Sequence, residues 1–482
     1  MKRRQLLLGA TAAVLAARAE ATTASGDASL AAAAERSILH GVIYGVDDVF
    51  PRPSELDRLG DARHRRSFVE DVIAGAGSLR APKYPIEQIA VRKPRGDEDR
   101  ICSLLAPVDA TVYLARVLPA ARLIEANRLP RSSGEVHSYR FVATHGAELF
   151  DVDSGFSSFM RSQRRKSRGL GAMAICDIRQ FYPSLSHQWL WRSLARMGVS
   201  DQCIEPIASM LSHWGSDAGL PVGQQASRIL AEAALAPIDR AMAAAGMSFD
   251  RFVDDYRIYG ETPREVETAV DFLRRHLSLA GLELNETKTV IGARSDILAE
   301  RVPSAPSEAM ATRNRRGVAQ LMQRTGARAE DLADLETVPS AAGTRHWLYA
   351  FALGGSGETA ATLKEVLQRH PQHVSYAAAL FERVTDEERL SAIGSVAGEL
   401  VALDTLPGYS RIQLTALLAG TQTYGRDSIL RFMTSPDQKS GGAEFRQGLD
   451  ALSRLGGVRP QQLADTGALD KWSSDRLSML TA

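Results

Sequence analysis

Nothing in the chain restricts its fold more than Arg251-Phe252-Val253-Asp254-Asp255-Tyr256-Arg257-Ile258-Tyr259, where two adjacent acids interrupt alternating apolar and polar residues. Alternation with a period of two marks a strand. Asp tolerates the left-handed backbone of a tight turn, so the segment reads as a hairpin with both carboxylates at its tip. A second stretch, Ala172-Met173-Ala174-Ile175-Cys176-Asp177-Ile178, reads as a buried strand that delivers one carboxylate at its end. Each piece alone has an ordinary explanation, since Asp-Asp is a common turn and a lone Asp often closes a strand or opens a helix. Together they predict three acids converging from two elements.

Such a trio suits a hard cation. Mg²⁺ prefers octahedral oxygen ligands at about 2.1 Å, and two ions roughly 3.5 to 4 Å apart stabilise both the attacking and the leaving oxygen of phosphoryl transfer. Neighbouring strands lie about 4.8 Å apart and keep their side chains in register, which gives bridging carboxylates a rigid support. Asp177, Asp254 and Asp255, with Ile178 beside the first, are therefore the candidate metal site, for two Mg²⁺ ions with Mn²⁺ as an alternative.

Further segments follow in order. Arg179-Gln180-Phe181-Tyr182-Pro183-Ser184-Leu185 comes directly after Ile178. Gly219-Leu220-Pro221-Val222-Gly223-Gln224-Gln225-Ala226-Ser227 precedes the acid hairpin, and Ala280-Gly281-Leu282-Glu283-Leu284-Asn285-Glu286-Thr287-Lys288-Thr289 lies beyond it. Upstream stand Pro82-Lys83-Tyr84-Pro85, a stretch from Ile89 to Gly96, and another from Asp99 to Tyr113. The series resembles palm motifs A to D of the reverse transcriptases, preceded by the fingers of bacterial members, over roughly residues 80 to 292. That resemblance implies an α+β fold of the right-hand polymerase type, with fingers and a palm made of an antiparallel sheet flanked by helices.

By the same resemblance, Asp177 and Asp254 are the acids that bridge the metals and Asp255 is the third. Tyr182 is the ring beneath the sugar that clashes with a ribose 2′-hydroxyl and favours deoxynucleotides, whereas Phe181 reads as a core aromatic. Gly223 lets the main chain approach template or nucleotide without a Cβ, and Gln224 to Ser227 open the helix behind it. Val222 stands where many reverse transcriptases carry Gln. Arg100 matches the fingers arginine that clamps the incoming triphosphate, a task suited to a bidentate guanidinium, with Arg92, Lys93 and Arg95 as competitors. Arg100, Tyr182, Gly223, Gln224 and Ser227 are thus the nucleotide-binding candidates. Lys288 matches the motif D lysine, placed to protonate or steady the departing pyrophosphate, and a solvated surface lysine is the plain alternative. The helix after Ser227 is expected to kink at Pro237 and to end on Gly246.

At 482 residues, 44% hydrophobic and 24% charged, the chain is long enough for two or three domains with sizeable cores. A net charge of +1 leaves no overall basic field, so contact with nucleic acid has to come from local patches. The clearest is Arg161-Ser162-Gln163-Arg164-Arg165-Lys166-Ser167-Arg168, which reads equally as a phosphate grip or as a solvated basic loop. Cys102, Cys176 and Cys203 are scattered and odd in number, so neither a disulfide framework nor a zinc site is indicated.

The N-terminus from Lys2-Arg3-Arg4 to Ala19 has the charged start, apolar core and small residues of a secretory signal with a twin-arginine flavour. A polymerase outside the membrane would meet no deoxynucleoside triphosphates. A cytoplasmic location is therefore expected, and residues 1–36 read as a leader or as a start assigned too early. No other run of about 18 charge-free apolar residues occurs, so no membrane span is expected.

From about residue 296 the texture changes to Ala- and Leu-rich segments at helical spacing, including Thr359 to Arg369, Ser375 to Val384, Asp386 to Leu403 and Ser410 to Leu418. Helix pairs stacked as a solenoid, or an irregular helical thumb, would account for them. The expected division is 1–36, then fingers and palm over 37–295, then an all-α thumb and HEAT-like helical-repeat domain over 296–482. A reverse transcriptase core with such a tail resembles the abortive-infection, phage-defence reverse transcriptases. Within that family some members polymerise without a template, prime from a tyrosine, or use an associated non-coding RNA. Tyr349, Tyr376, Tyr409 and Tyr424 are the C-terminal tyrosines available for a priming role, with burial at helix contacts as the commoner explanation and none of the four singled out.

The expected activity is addition of deoxynucleotides to DNA on an RNA template or associated RNA, with self-association left open. The alternatives are an RNA-dependent RNA polymerase, a nucleotide cyclase, and a catalytically dead palm serving as a nucleic-acid-binding scaffold. A cyclase lacks motif B and the fingers, and an RNA polymerase hairpin normally opens with Gly where Val253 stands.

Overall fold

The computed structural model describes residues 25–93, 99–144, 146–215, 217–299, 344–353, 359–382, 384–403, 405–421, 425–434, 442–456, 463 and 469–481. Two compact units are interleaved along the chain. The first takes in Met1–Asp48, Leu56–Ile86 and Leu105–Val302, and the second takes in Val49–Glu55, Glu87–Leu104 and Pro303–Ala482.

The first unit is built on a four-stranded sheet in the order β4-β5-β3-β6, antiparallel throughout. Its strands are β3 (Ala172–Asp177), β4 (Ser248–Phe252), β5 (Asp255–Gly260) and β6 (Val290–Ala293). Alternation along β4 sends Asp250 and Arg251 to opposite faces, yet both are fully buried. Buried carboxylates and guanidinia require partners on each side, and the packed helices supply them.

Three helices, α1 (Ser25–Tyr44), α2 (Ala62–Ala76) and α3 (Pro107–Ala126), pack on one another. Asp109 in the first turn of α3 accepts from the Lys83 and Tyr84 amides at 2.7 and 2.9 Å, which fixes the Pro82–Pro85 loop. The basic run folds as α4 (Phe156–Lys166) and the turn after it. Ser162 and Gln163 are buried there and Lys166 bonds Asp250, so only Arg161, Arg164, Arg165 and Arg168 face water.

Helices α5 (His187–Arg196) and α6 (Asp201–His213) follow, then α7 (Gln225–Ala244), and finally α8 (Pro263–Leu279) against β3, β5 and β6. Pro237 does not break α7. The ring leaves no amide for the Ala233 carbonyl, and the Trp189 indole donates to the neighbouring Ala234 carbonyl at 2.9 Å. Gly246 ends the helix in the left-handed region, with Met247 N to Met242 O at 3.1 Å and Gly246 N to Ala243 O at 3.0 Å.

The second unit holds the antiparallel hairpin of β1 (Glu87–Arg92) and β2 (Asp99–Leu104) together with α9 (Thr344–Leu353), α10 (Thr359–Arg369), α11 (Val374–Phe381), α12 (Glu387–Val401), α13 (Gly408–Leu418), α14 (Gly425–Met433), α15 (Ala443–Arg454) and α16 (Lys471–Thr481). Helices α9, α11, α13 and α15 meet in series, and so do α10, α12 and α14. Contact with the helix after next is the pattern of a two-layer helical stack. Its core runs through Trp347, Phe351, Phe381, Leu400, Leu418 and Phe445. Salt bridges from Arg446 to Glu87 and from Arg476 to Glu55 and Asp450 bind the early segments into it.

Two of the tyrosines named as priming candidates lie in the core of this unit. Tyr349 and Tyr376 are buried, and burial pushes the Tyr349 hydroxyl up to about 12. Tyr409 donates to the Val49 carbonyl at 2.9 Å, and Tyr424 lies outside the described residues. No described helix is long and apolar enough to cross a membrane.

Candidate active site

Asp177 is the last residue of β3 and Asp255 the first of β5, and the two are direct cross-strand partners. Partners of this kind leave the same face of a sheet with Cβ atoms about 4.5 to 5.5 Å apart. Phe252 pairs with Asp255, so Val253 and Asp254 alone form the turn of the β4–β5 hairpin. The Asp254 carbonyl accepts from the Ile178 amide at 3.2 Å, which fastens the turn to the end of β3. Asp177 and the adjacent pair Asp254–Asp255 thus meet at one end of the two central strands.

The carboxylates are engaged with the chain's own donors. Asp177 Oδ2 accepts from Lys288 Nζ at 3.0 Å and from Asn285 Nδ2 at 3.3 Å, and its carbonyl accepts from the Asn285 amide at 2.7 Å. Thr287 and Thr289 hydroxyls bond Asn285 and shape the short 3₁₀ turn that presents Lys288. Asp255 Oδ1 lies 3.5 Å from Arg257 Nη1. Among the described residues no trio of His, Cys, Asp or Glu is drawn up as a metal cluster, so the convergence expected from sequence is one of position, not of ready coordination. Carboxylates this close repel one another, and cationic neighbours relieve that repulsion.

A family model described as reverse transcriptase (RNA-dependent DNA polymerase) matches residues 127–313. The chain carries a reverse transcriptase domain. No curated protein matches the sequence. Among solved structures, telomerase from Candida albicans in complex with the TWJ fragment of telomeric RNA is similar at 10% identity and a TM-score of 0.33, over 87% of this chain and 68% of that one. Apo telomerase from Candida tropicalis is similar at 11% identity and a TM-score of 0.32, over 77% and 70%.

The matched span of the reverse transcriptase domain includes all three acids, Tyr182, Gly223 and Lys288, and leaves Arg100 outside. Arg100 is exposed on β2 of the second unit. Its competitor Arg92 pairs with Asp99 on the same hairpin, and Arg95 lies outside the described residues.

Tyr182 sits in a single helical turn, Phe181–Ser184, entered through Gln180 at φ 45°. Burial, then neighbouring Tyr139, holds its hydroxyl well above the usual phenol range, so it stays protonated. Phe181 is a core residue, as its apolar setting implies. Motif B is laced to this turn, with Gly219 N on Leu185 O and Leu220 N on Tyr182 O, both at 2.8 Å. Gly223 adopts φ 102°, a conformation that favours glycine.

Two nucleotide-binding candidates face the interior instead. Ser227 is fully buried with its hydroxyl 3.3 Å from that of Tyr113, and Gln224 is buried at the start of α7. Ser227 lies one turn into α7, on the side that packs against α3. Ile178 is likewise buried, and only its main-chain oxygen has the chemistry of a Mg²⁺ ligand.

Sequence reading assigned no role to a group directly behind the hairpin. Arg251 has no exposed surface and bonds both Asp239 oxygens through Nε at 3.0 Å, with Nη2 on Asp239 and on Glu232 at 2.7 Å each. Arg128 adds a second guanidinium, 2.8 Å from Glu232. Burial raises Asp239, whereas for Glu232 burial is outweighed by Arg128 and Arg251, which bring it below the usual carboxylate range. The available signal was Glu232 and Asp239 seven residues apart on an otherwise Ala- and Leu-rich helix, hence on one face. A second group, Asp250 with His137, Ser162, Lys166 and Tyr259, ties β4 to α4 on the other face of the sheet.

Proposed function

We propose that the chain is a DNA polymerase of the reverse transcriptase type, extending a 3′ hydroxyl with deoxynucleotides at Asp177, Asp254 and Asp255. The observation that carries this reading is the register placing Asp177 opposite Asp255, with Asp254 one residue away on the fastened turn. The donor set fits Mg²⁺: it consists of carboxylate oxygens, without the thiolate or imidazole a softer metal prefers. Bound there, divalent ions would activate the attacking hydroxyl and neutralise charge on the transferred phosphate.

The remaining roles belong to the chain. Lys288, paired with Asp177 at 3.0 Å, is assigned to protonate or steady the departing pyrophosphate. Tyr182 offers a neutral ring for sugar selection. The exposed arginines of α4 supply the local basic patch that an RNA or DNA backbone requires of a molecule with almost no net charge. The helical stack after the palm supports a place among phage-defence reverse transcriptases, to be tested by phage plaque counts with and without the acid hairpin.

The deciding assay supplies each deoxynucleotide and ribonucleotide to purified protein, with and without RNA template. Incorporation of deoxynucleotides is expected, and D254A/D255A is expected to abolish it without loss of fold. Synthesis persisting in that double variant overturns the assignment.

A further inference from the structure

Val253 is the first residue of the acid turn and has φ 57°, in the left-handed region that a β-branched residue rarely enters. Both of its main-chain groups are held by buried side chains. Its amide donates to Ser138 Oγ at 2.7 Å, and its carbonyl accepts from Arg251 Nη1 at 3.0 Å. The same Nη1 lies 3.2 Å from Ser138 Oγ, so hydroxyl and guanidinium brace each other as well as the turn.

We infer that Ser138 and Arg251 are positioning residues that clamp Val253 in this conformation and thereby aim Asp254 and Asp255 at Asp177. The inference rests on the metal-site reading above. Arg251 is itself fixed by Glu232 and Asp239 of α7, and Arg128 donates to the Ser138 carbonyl at 2.7 Å. Two cations and two anions are thus balanced inside the protein.

Such a group gains little or nothing in stability over well-packed apolar side chains of the same volume, because each charge has been removed from water. What it supplies is direction. An arginine offers five N–H donors in a rigid plane, and here they reach two carboxylates, a hydroxyl and one carbonyl of the turn. Peptide rotation at Val253 changes the orientation of the very next residue, Asp254. Relaxation of Val253 to the ordinary strand region would therefore turn a carboxylate away from Asp177.

The test uses Mn²⁺ binding to the full chain, read by electron paramagnetic resonance, beside deoxynucleotide incorporation. Ser138→Ala is expected to weaken Mn²⁺ binding and lower kcat by about tenfold or more, the usual scale for groups that orient metal ligands, with KM for the nucleotide nearly constant. Val253→Gly removes the steric penalty of the left-handed region, at the cost of a buried side chain, so S138A/V253G is expected to recover most of the Mn²⁺ affinity while melting lower. A role in stability alone would lower the melting temperature of Ser138→Ala without moving metal affinity and would not be rescued by glycine.

Should Ser138→Ala fail to fold, Glu232→Gln keeps the shape, removes one charge from Arg251 and is read the same way. Wild-type Mn²⁺ affinity in the folded variant, or no rescue by glycine, overturns the clamp. If the wild-type chain binds no Mn²⁺, the metal-site reading falls. Hydrogen exchange then decides the clamp alone: the Val253 amide must exchange at least about tenfold faster in Ser138→Ala, and an unchanged rate rejects it.

Discussion

Lys288 and Asp177 form an ion pair whose lysine side chain is half exposed, at 50% against 19% for the aspartate. Pairs of that exposure contribute about 0.2 to 1 kcal/mol, so Lys288→Ala should leave the melting temperature within a few degrees of wild type. Its cost belongs to chemistry. With the ammonium serving as proton donor, kcat for incorporation is expected to fall about a hundredfold while the nucleotide KM stays close to wild type. Single-turnover incorporation with an unchanged rate in Lys288→Ala would return this residue to the class of ordinary surface lysines. The placement of the acids on a strand end and a hairpin was legible from their own segments, because strand alternation and turn chemistry are local, whereas Lys288 was singled out only by the family resemblance of its segment. Asn285, which holds Lys288 in place and bonds Asp177 twice, was quoted within its motif but carried no legible role, since its partner lies more than a hundred residues away.

At the level of elements, the close approach of motif B to the turn after β3 depends on one glycine. Gly219 has φ 89°, and a Cβ there would stand 2.6 Å from the Pro183 carbonyl oxygen, a backbone atom with little freedom to retreat. Gly219→Ala is therefore expected to cost about 1 to 3 kcal/mol, read as a lower urea midpoint, and to shift the Tyr182 turn that Leu220 grips. A midpoint equal to wild type would mean that the two segments part easily. The helices of the second unit illustrate the opposite case. Thr359 to Arg369 was read with the same ends that the structure has, because amphipathic spacing and flanking Gly and Pro act within a few residues. Pro237, expected to kink its helix, lies inside α7, which runs on from Gln225 to Ala244 because it is packed along its length and tertiary contacts outweigh one missing hydrogen bond. The basic run, left open between phosphate grip and loop, is a helix that turns one lysine inward to Asp250 and the arginines outward.

For the whole molecule, interleaving of the two units governs what can be removed. Residues 49–55 and the β1–β2 hairpin group with the C-terminal helices, so a cut at residue 302 would strip Arg446 from Glu87, Asp450 from Ser54 and Arg476 from Glu55. A chain ending there is expected to aggregate or to bind hydrophobic dye, checked by size exclusion against the full chain. A monodisperse, dye-free product would show that the hairpin stands without its helical partners. What the sequence determined alone were the properties that act over short range: three acids on a strand end and a hairpin, the order of the palm segments, and a helical texture beyond them. Only the tertiary structure decided which strands adjoin, that Ser227 and Gln224 face inward, that the β1–β2 hairpin belongs with the helical unit, and that a strained valine behind the acids is held by Ser138 and Arg251. Those facts depend on pairings between residues far apart in the chain, whose energies come from burial and charge balance that no local pattern encodes.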